Sequence, residues 1–244
     1  MKKIIGSLLM SSALLGATVA PLVANADATP NTKGTTNVTT TFTKSTQTVT
    51  PVDPDDPDTP TDPGDGNNGA AAGGDLSLIY VPASFDFGSS EIDVLNDKSL
   101  SLDTTSAATT LWKNNAVVEV SDVRGTNAGW SVLVKGNTLT SDSGATIKGA
   151  SLVLPKGTVS NSGNDAQNSN ANGAYATGET VDLATTDDSV AGVQVLGAKD
   201  GNGAGVTVSK LDPAGITMNI PANTAKAETY KTTLNWTLGD TPQN

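Results

Sequence analysis

The chain has 244 residues, 14 Lys or Arg against 25 Asp or Glu, a net charge of −11, and neither Cys nor His. Without His or Cys, zinc hydrolase chemistry and Ser-His-Asp or Cys-His catalysis are excluded, leaving carboxylate pairs or Lys as catalytic options. A strong acidic excess with a single Arg, Arg124, repels phosphate backbones and argues against nucleic-acid binding.

The N-terminus reads as a secretory signal peptide over residues 1–26. Lys2 and Lys3 precede an apolar run from Ile4 to Val23, and Ala24-Asn25-Ala26 is an A-x-A cleavage site. The alternative, a membrane anchor, fits less well, because the run contains Ser, Gly, Thr and Pro21. Cleavage removes two lysines and no acid, taking the net charge from −11 to −13. No second long apolar run follows, so no membrane insertion is expected after cleavage.

Residues 27–50 are Thr-rich. "NVTTTFTKSTQTVT" has the β-branched content of a strand but alternates poorly, so it reads as either an added edge strand or an extended arm. Residues 51–75, "PVDPDDPDTPTDPGDGNNGAAAGGD", read as an acidic Pro/Gly linker stiffened by Pro and by like charge. Its carboxylates are hard oxygen ligands, but the composition favours a solvated linker over a Ca²⁺ site.

From 76 to 244 the chain reads as one all-β domain, a β-sandwich or barrel. Short apolar runs ("LSLIYV", "AVVEVSDV", "WSVLV", "ASLVLP", "VQVLG", "VTVS", "ITMNIP") alternate with Gly, Asn, Asp and Ser clusters. "AVVEVSDVRGTNAGWSVLV" reads as a hairpin whose turn is "RGTNAG". There Asp122 and Arg124 share a strand face, as a pinning ion pair or as a polar clamp beside Trp130; exposed pairs at strand ends favour the pin. Residues 156–179 read as a long polar loop or loop pair, of a length that is usually functional or disordered. "KDGNGAG" from Lys199 lacks the acids and terminal Glu of a calcium loop and reads as a Gly-rich hairpin turn. No metal site or cofactor is expected.

The closing stretch "YKTTLNWTLGDTPQN" places Tyr230, Leu234, Trp236 and Leu238 on one face of a strand. Trp130, Val132 and Val134 share a face in the same way. Core packing is the simpler account of both tryptophans. An open Trp face would instead form a platform for sugar rings.

"YKTTLNWTLGDTP" and "VSDVRGTNAGWSVLV" resemble the distal and proximal motifs of the WxL-domain surface proteins of low-GC Gram-positive bacteria. Val132 stands where the family's motif has Leu. "LSLIYVPASFDFG" and the acidic Pro/Asp segment are similar to the family too. The resemblance implies a secreted protein held non-covalently at the cell wall, with peptidoglycan as ligand. It also implies other co-secreted surface proteins as partners. The alternative is a protein–protein module whose wall association is indirect, its Thr-rich segment at 35–50 pairing with a partner's sheet edge. Candidate ligand-binding residues under the resemblance are Trp130, Val132, Trp236, Leu238, Tyr230 and Arg124. No carboxylate pair stands out by motif, and no enzymatic activity is expected.

Overall fold

The structure is a computed structural model and describes residues 33–105, 112–163, 172–185 and 189–242. The signal-peptide reading of residues 1–26 lies outside the described residues. The chain divides into two units, Met1–Thr41 and Phe42–Asn244. In the first, residues 33–41 are exposed and have no regular secondary structure. Among the described residues the Thr-rich arm contains no strand. No helix among the described residues is long and apolar enough to cross a membrane.

The second unit is all-β. Its strands are β1 (Val52–Asp53), β2 (Asp56–Pro60), β3 (Leu76–Tyr80), β4 (Lys98–Ser101), β5 (Ala116–Asp122), β6 (Trp130–Gly136), β7 (Thr140–Ser141) and β8 (Ser151–Leu154). They continue with β9 (Thr158–Asn161), β10 (Ala174–Ala176), β11 (Glu179–Asp182), β12 (Val193–Ala198), β13 (Gly205–Leu211), β14 (Thr217–Ile220), β15 (Tyr230–Lys231) and β16 (Leu234–Gly239). Three four-stranded antiparallel sheets result, ordered β10-β12-β6-β16, β11-β8-β14-β4 and β3-β5-β13-β9. Each sends one face into a common apolar core in a sandwich-like arrangement. Val118 and Val120 enter it from β5, Trp130, Val132 and Val134 from β6, and Leu152 and Leu154 from β8.

Two loops expected as hairpin turns are not hairpins. β5 pairs with β3 and β13, whereas β6 pairs with β12 and β16. Residues 123–129 therefore carry the chain from one sheet to another. Residues 199–204 make the return crossing, from β12 to β13. The two arches lie side by side. Ala128 bridges Asn202 in parallel, and Gly201 N–H donates to the Asn127 carbonyl at 2.6 Å. Gly and Asn supply positive φ in an arch as readily as in a hairpin, which is why the turn residues did not distinguish them. Burial makes the distinction: all seven residues of β5 are buried, so it is covered on both faces.

The acidic segment 51–75 is not a free linker along its whole length. It contains β1, β2 and a 3-10 turn at Gly66–Gly69, and Val52 is buried against the sheet of β3, β5, β13 and β9. The polar stretch 156–179 likewise contains β9 and β10 among its described residues.

Candidate functional site

β6 and β16 are neighbours in one sheet, with register Val134↔Trp236 and Val132↔Leu238. The two tryptophan motifs, some hundred residues apart in sequence, are thus adjacent rungs of one antiparallel ladder. Opposed residues in such a ladder point to the same face. All of Trp130, Val132, Trp236 and Leu238 therefore point toward the common core.

Their exposure differs. Trp130 and Val132 are fully buried. The Trp130 indole Nε1–H donates to the Gly203 carbonyl at 3.1 Å, tying β6 to the second arch. Gly203 has φ +83°, and a Cβ there would lie 2.3 Å from the Ala198 Cβ and 2.6 Å from the indole nitrogen. Trp130 leaves no face open to a ligand in this structure. Trp236 and Leu238 belong to an edge strand and are half-buried.

Arg124 is committed internally. Its Nε and one terminal nitrogen hold the two oxygens of buried Asp122 at 2.9 and 2.8 Å, and that same nitrogen donates to the Gly129 carbonyl at 2.7 Å. The other reaches the Asp240 carbonyl at 3.4 Å. The Asp122 carboxylate raises the Arg124 pKa still further, against the cost of burial. Arg124 thus fastens the first arch to the end of β16.

Tyr230 does not share a strand with Trp236. It lies in β15, which pairs with β7, and the strand is interrupted at Thr232–Thr233 before β16 begins. The Thr232 hydroxyl donates to the Asn137 carbonyl at 2.7 Å across the break. The inside–outside alternation nevertheless runs unbroken from Tyr230 to Leu238. Tyr230 is half-buried, and its hydroxyl accepts from Lys226 N–H at 2.9 Å.

Half-buried Trp236 and Tyr230 meet two aromatics from elsewhere. They line an open groove of about 520 Å³ together with Phe85, Phe87, Leu234 and Met218. A second cavity of about 240 Å³ continues from it, sharing Phe87, Leu139, Met218, Thr229 and Tyr230. Its walls carry Glu91, Asp93 and Glu228 beside Lys98 and Lys226. Backbone amides of Leu95 and Asn96 hold the Asp93 carboxyl below the usual range, and the Ser141 and Ser143 hydroxyls do the same for Glu228. The groove therefore joins an aromatic floor to a rim of both charges. Among the described residues no cluster of three or more Asp or Glu is placed to hold a metal ion.

Phe85 and Phe87 were not among the residues singled out from the sequence. Their signal is the same-parity spacing in "SFDFG", outside any strand, where aromatic residues have no ladder to serve.

A family model described as "WxL domain surface cell wall-binding" matches residues 29–242. Comparison with curated proteins and with solved structures gave no match. The model spans the arm, the acidic segment, both arches and both tryptophan strands. The chain belongs to the WxL-domain family of surface cell-wall-binding proteins, and its place is the cell surface.

Proposed function

We propose that this protein attaches to the Gram-positive cell wall by binding peptidoglycan in the groove walled by Trp236, Tyr230, Phe85 and Phe87. The observation that carries this reading is a set of four half-buried aromatics around an open cavity of about 520 Å³. Glycan sites combine aromatic platforms with polar groups that bond hydroxyls, and here the aromatics stand beside Asn68, Asp86, Thr229, Lys231 and Thr232. Sugar rings present C–H faces that stack on such side chains, and a neutral glycan is not repelled by the acidic surface. Trp130, Val132 and Arg124 act from behind, holding β6 and the arches on which β16 depends.

The reading is of binding and not catalysis. A glycosidase needs a carboxyl group of raised pKa beside a second carboxylate. Asp93 and Glu228 in the adjoining cavity are shifted the other way. Among the described residues the carboxyl group that is raised, Glu119, lies buried on the outer face of a different sheet.

The test is a pull-down of the full secreted chain on protein-free, teichoic-acid-stripped peptidoglycan. Tyr230→Ala, Phe87→Ala and Trp236→Ala run beside wild type, with circular dichroism as the fold check. Folded variants are expected to bind at least about tenfold more weakly, equivalent to about 1.4 kcal/mol. Folded wild type that stays in the supernatant overturns the reading.

One observation favours an alternative, assembly with another surface protein. Ile92, Val94 and Leu95 are 48%, 54% and 83% exposed beside the second cavity, and Phe42 is 89% exposed in the extended arm. In that case wall association is indirect, and the pull-down is negative until the partner is added.

A further inference from the structure

β5 has two buried faces. Ala116, Val118 and Val120 enter the main core, whereas Val117 and Glu119 point to the opposite side of the sheet. On that outer face lie Tyr80, Val206 and Val208, with Trp112 set edge-on to Tyr80 at 5.3 Å and 87°. The cover over them is residues 49–72, through Val49, Val52 and Ala72.

Polar contacts fasten this cover. Asp55 accepts from Lys210 Nζ at 2.6 Å and from Lys113 Nζ at 2.9 Å. The Tyr80 hydroxyl donates to Asp65 at 2.9 Å, and Asn68 Nδ2 donates to the Pro82 carbonyl at 3.2 Å. Gly73 and Gly74 follow directly, with open space where a side chain would lie.

Beneath it lies Glu119, fully buried. Its Oε2 accepts from Val52 N–H at 3.0 Å, and its Oε1 has no hydrogen-bond partner. An ionised carboxylate has about four acceptor sites to satisfy, and this one has a single donor. The surroundings do not compensate it. Asp53 of β1 repels it, Tyr80 of β3 spends its proton on Asp65, and the Trp112 indole is neutral. Lys210 of β13 and Lys113 are both engaged with Asp55. Burial is the main cause, and it pushes the Glu119 carboxyl up to about 8 despite the Val52 amide.

We propose that residues 49–72 are a strap held shut by a neutral Glu119 and released when Glu119 ionises, baring the Tyr80–Trp112 face of the sheet. The closed form retains a proton from the ordinary glutamate value, near 4.5, up to about 8. Opening therefore becomes about tenfold easier per pH unit within that window and levels off above it. Asp55 acts in the opposite sense. Lys210 and Lys113 hold its carboxyl at about 2, so its contribution is present above the ordinary aspartate value and fades as pH falls below it.

The experiment is hydrogen exchange with mass spectrometry on the full secreted chain from pH 5 to 9.5, corrected for intrinsic exchange. In wild type the opening constant of peptides covering 49–60 is expected to rise about tenfold per unit to pH near 8 and then level. Peptides of β6 serve as an internal reference and should not follow. Glu119→Gln should flatten the strap profile. Asp53→Asn, which removes the facing charge, should move the plateau to lower pH. A flat profile in wild type, or an equal slope in folded Glu119→Gln, overturns the proposal. If Glu119→Gln fails to fold, the wild-type slope against β6 and the Asp53→Asn shift decide it, and absence of either refutes it.

Discussion

The two motif tryptophans are predicted to fail differently when truncated. Trp130 is fully buried and Trp236 sits half-buried on an edge strand. Truncating a fully buried Trp to Ala costs about 4 kcal/mol in lost packing and cavity. Trp130→Ala also strands the buried Gly203 carbonyl, adding about 1 kcal/mol. The total of about 5 kcal/mol rivals the whole stability of a typical domain. Trp130→Phe keeps a six-membered ring but loses the N–H donor and the pyrrole part of the indole, for about 2 kcal/mol. Trp236→Ala gives up roughly half of a full burial, again about 2 kcal/mol. Urea unfolding followed by circular dichroism measures this. At a slope of about 2 kcal/mol per M, Trp130→Ala moves the midpoint by about 2.5 M and Trp236→Ala by about 1 M. Equal losses at the two sites, or a Trp130→Ala loss below about 1.5 kcal/mol, would refute the division into an anchor and a groove wall.

Gly203→Ala introduces a Cβ within 2.3 Å of Ala198 at φ +83°, so it is expected to cost about 3 kcal/mol and to lower the melting temperature although no side chain is lost. Arg124→Ala leaves buried Asp122 without its fork and should cost about 3 kcal/mol, readable in the same urea titration, with Arg124→Lys recovering only part because a lysine cannot match two oxygens. Acid should loosen the Asp55 attachment as pH falls from the ordinary aspartate value toward about 2, seen as faster exchange in peptides covering 53–60, and Lys210→Met should diminish that response.

Strand content was legible in the sequence because alternation and turn chemistry are local. "WSVLV" and "LNWTL" each show their inward face at once, and both proved to be strands with that face inward. What strands pair with is not local. "RGTNAG" has every residue a hairpin needs, yet it arches between sheets, because β5 finds its partners in β3 and β13. A hint was available: "AVVEV" is too continuously apolar for a strand with one wet face. The acidic segment misled for a different reason. Its Asp count speaks of solvent, and its few apolar residues, Val52 above all, decide its placement. A single buried Val and two lysine contacts outweigh a composition average, and no window over the sequence registers that.

The groove shows the same division between local and non-local information. Trp236 and Tyr230 were visible as same-parity residues of one stretch, whereas Phe85 and Phe87 come from a segment far upstream that only the fold brings opposite them. The W-x-V and W-x-L spacing has a structural cause. Two residues separated by one lie on one face of a strand, and β6 and β16 are hydrogen-bonded neighbours, so Val132 meets Leu238 and Val134 meets Trp236. Ladder geometry gives the second tryptophan a different position from the first. Trp130 faces Ala198 of β12 in the interior of the sheet, under an arch that accepts its N–H. Among the described residues Trp236 has β6 on one side and no strand on the other. One tryptophan is thus enclosed by the fold and the other is left at its margin, where a core residue can also serve as the wall of a groove.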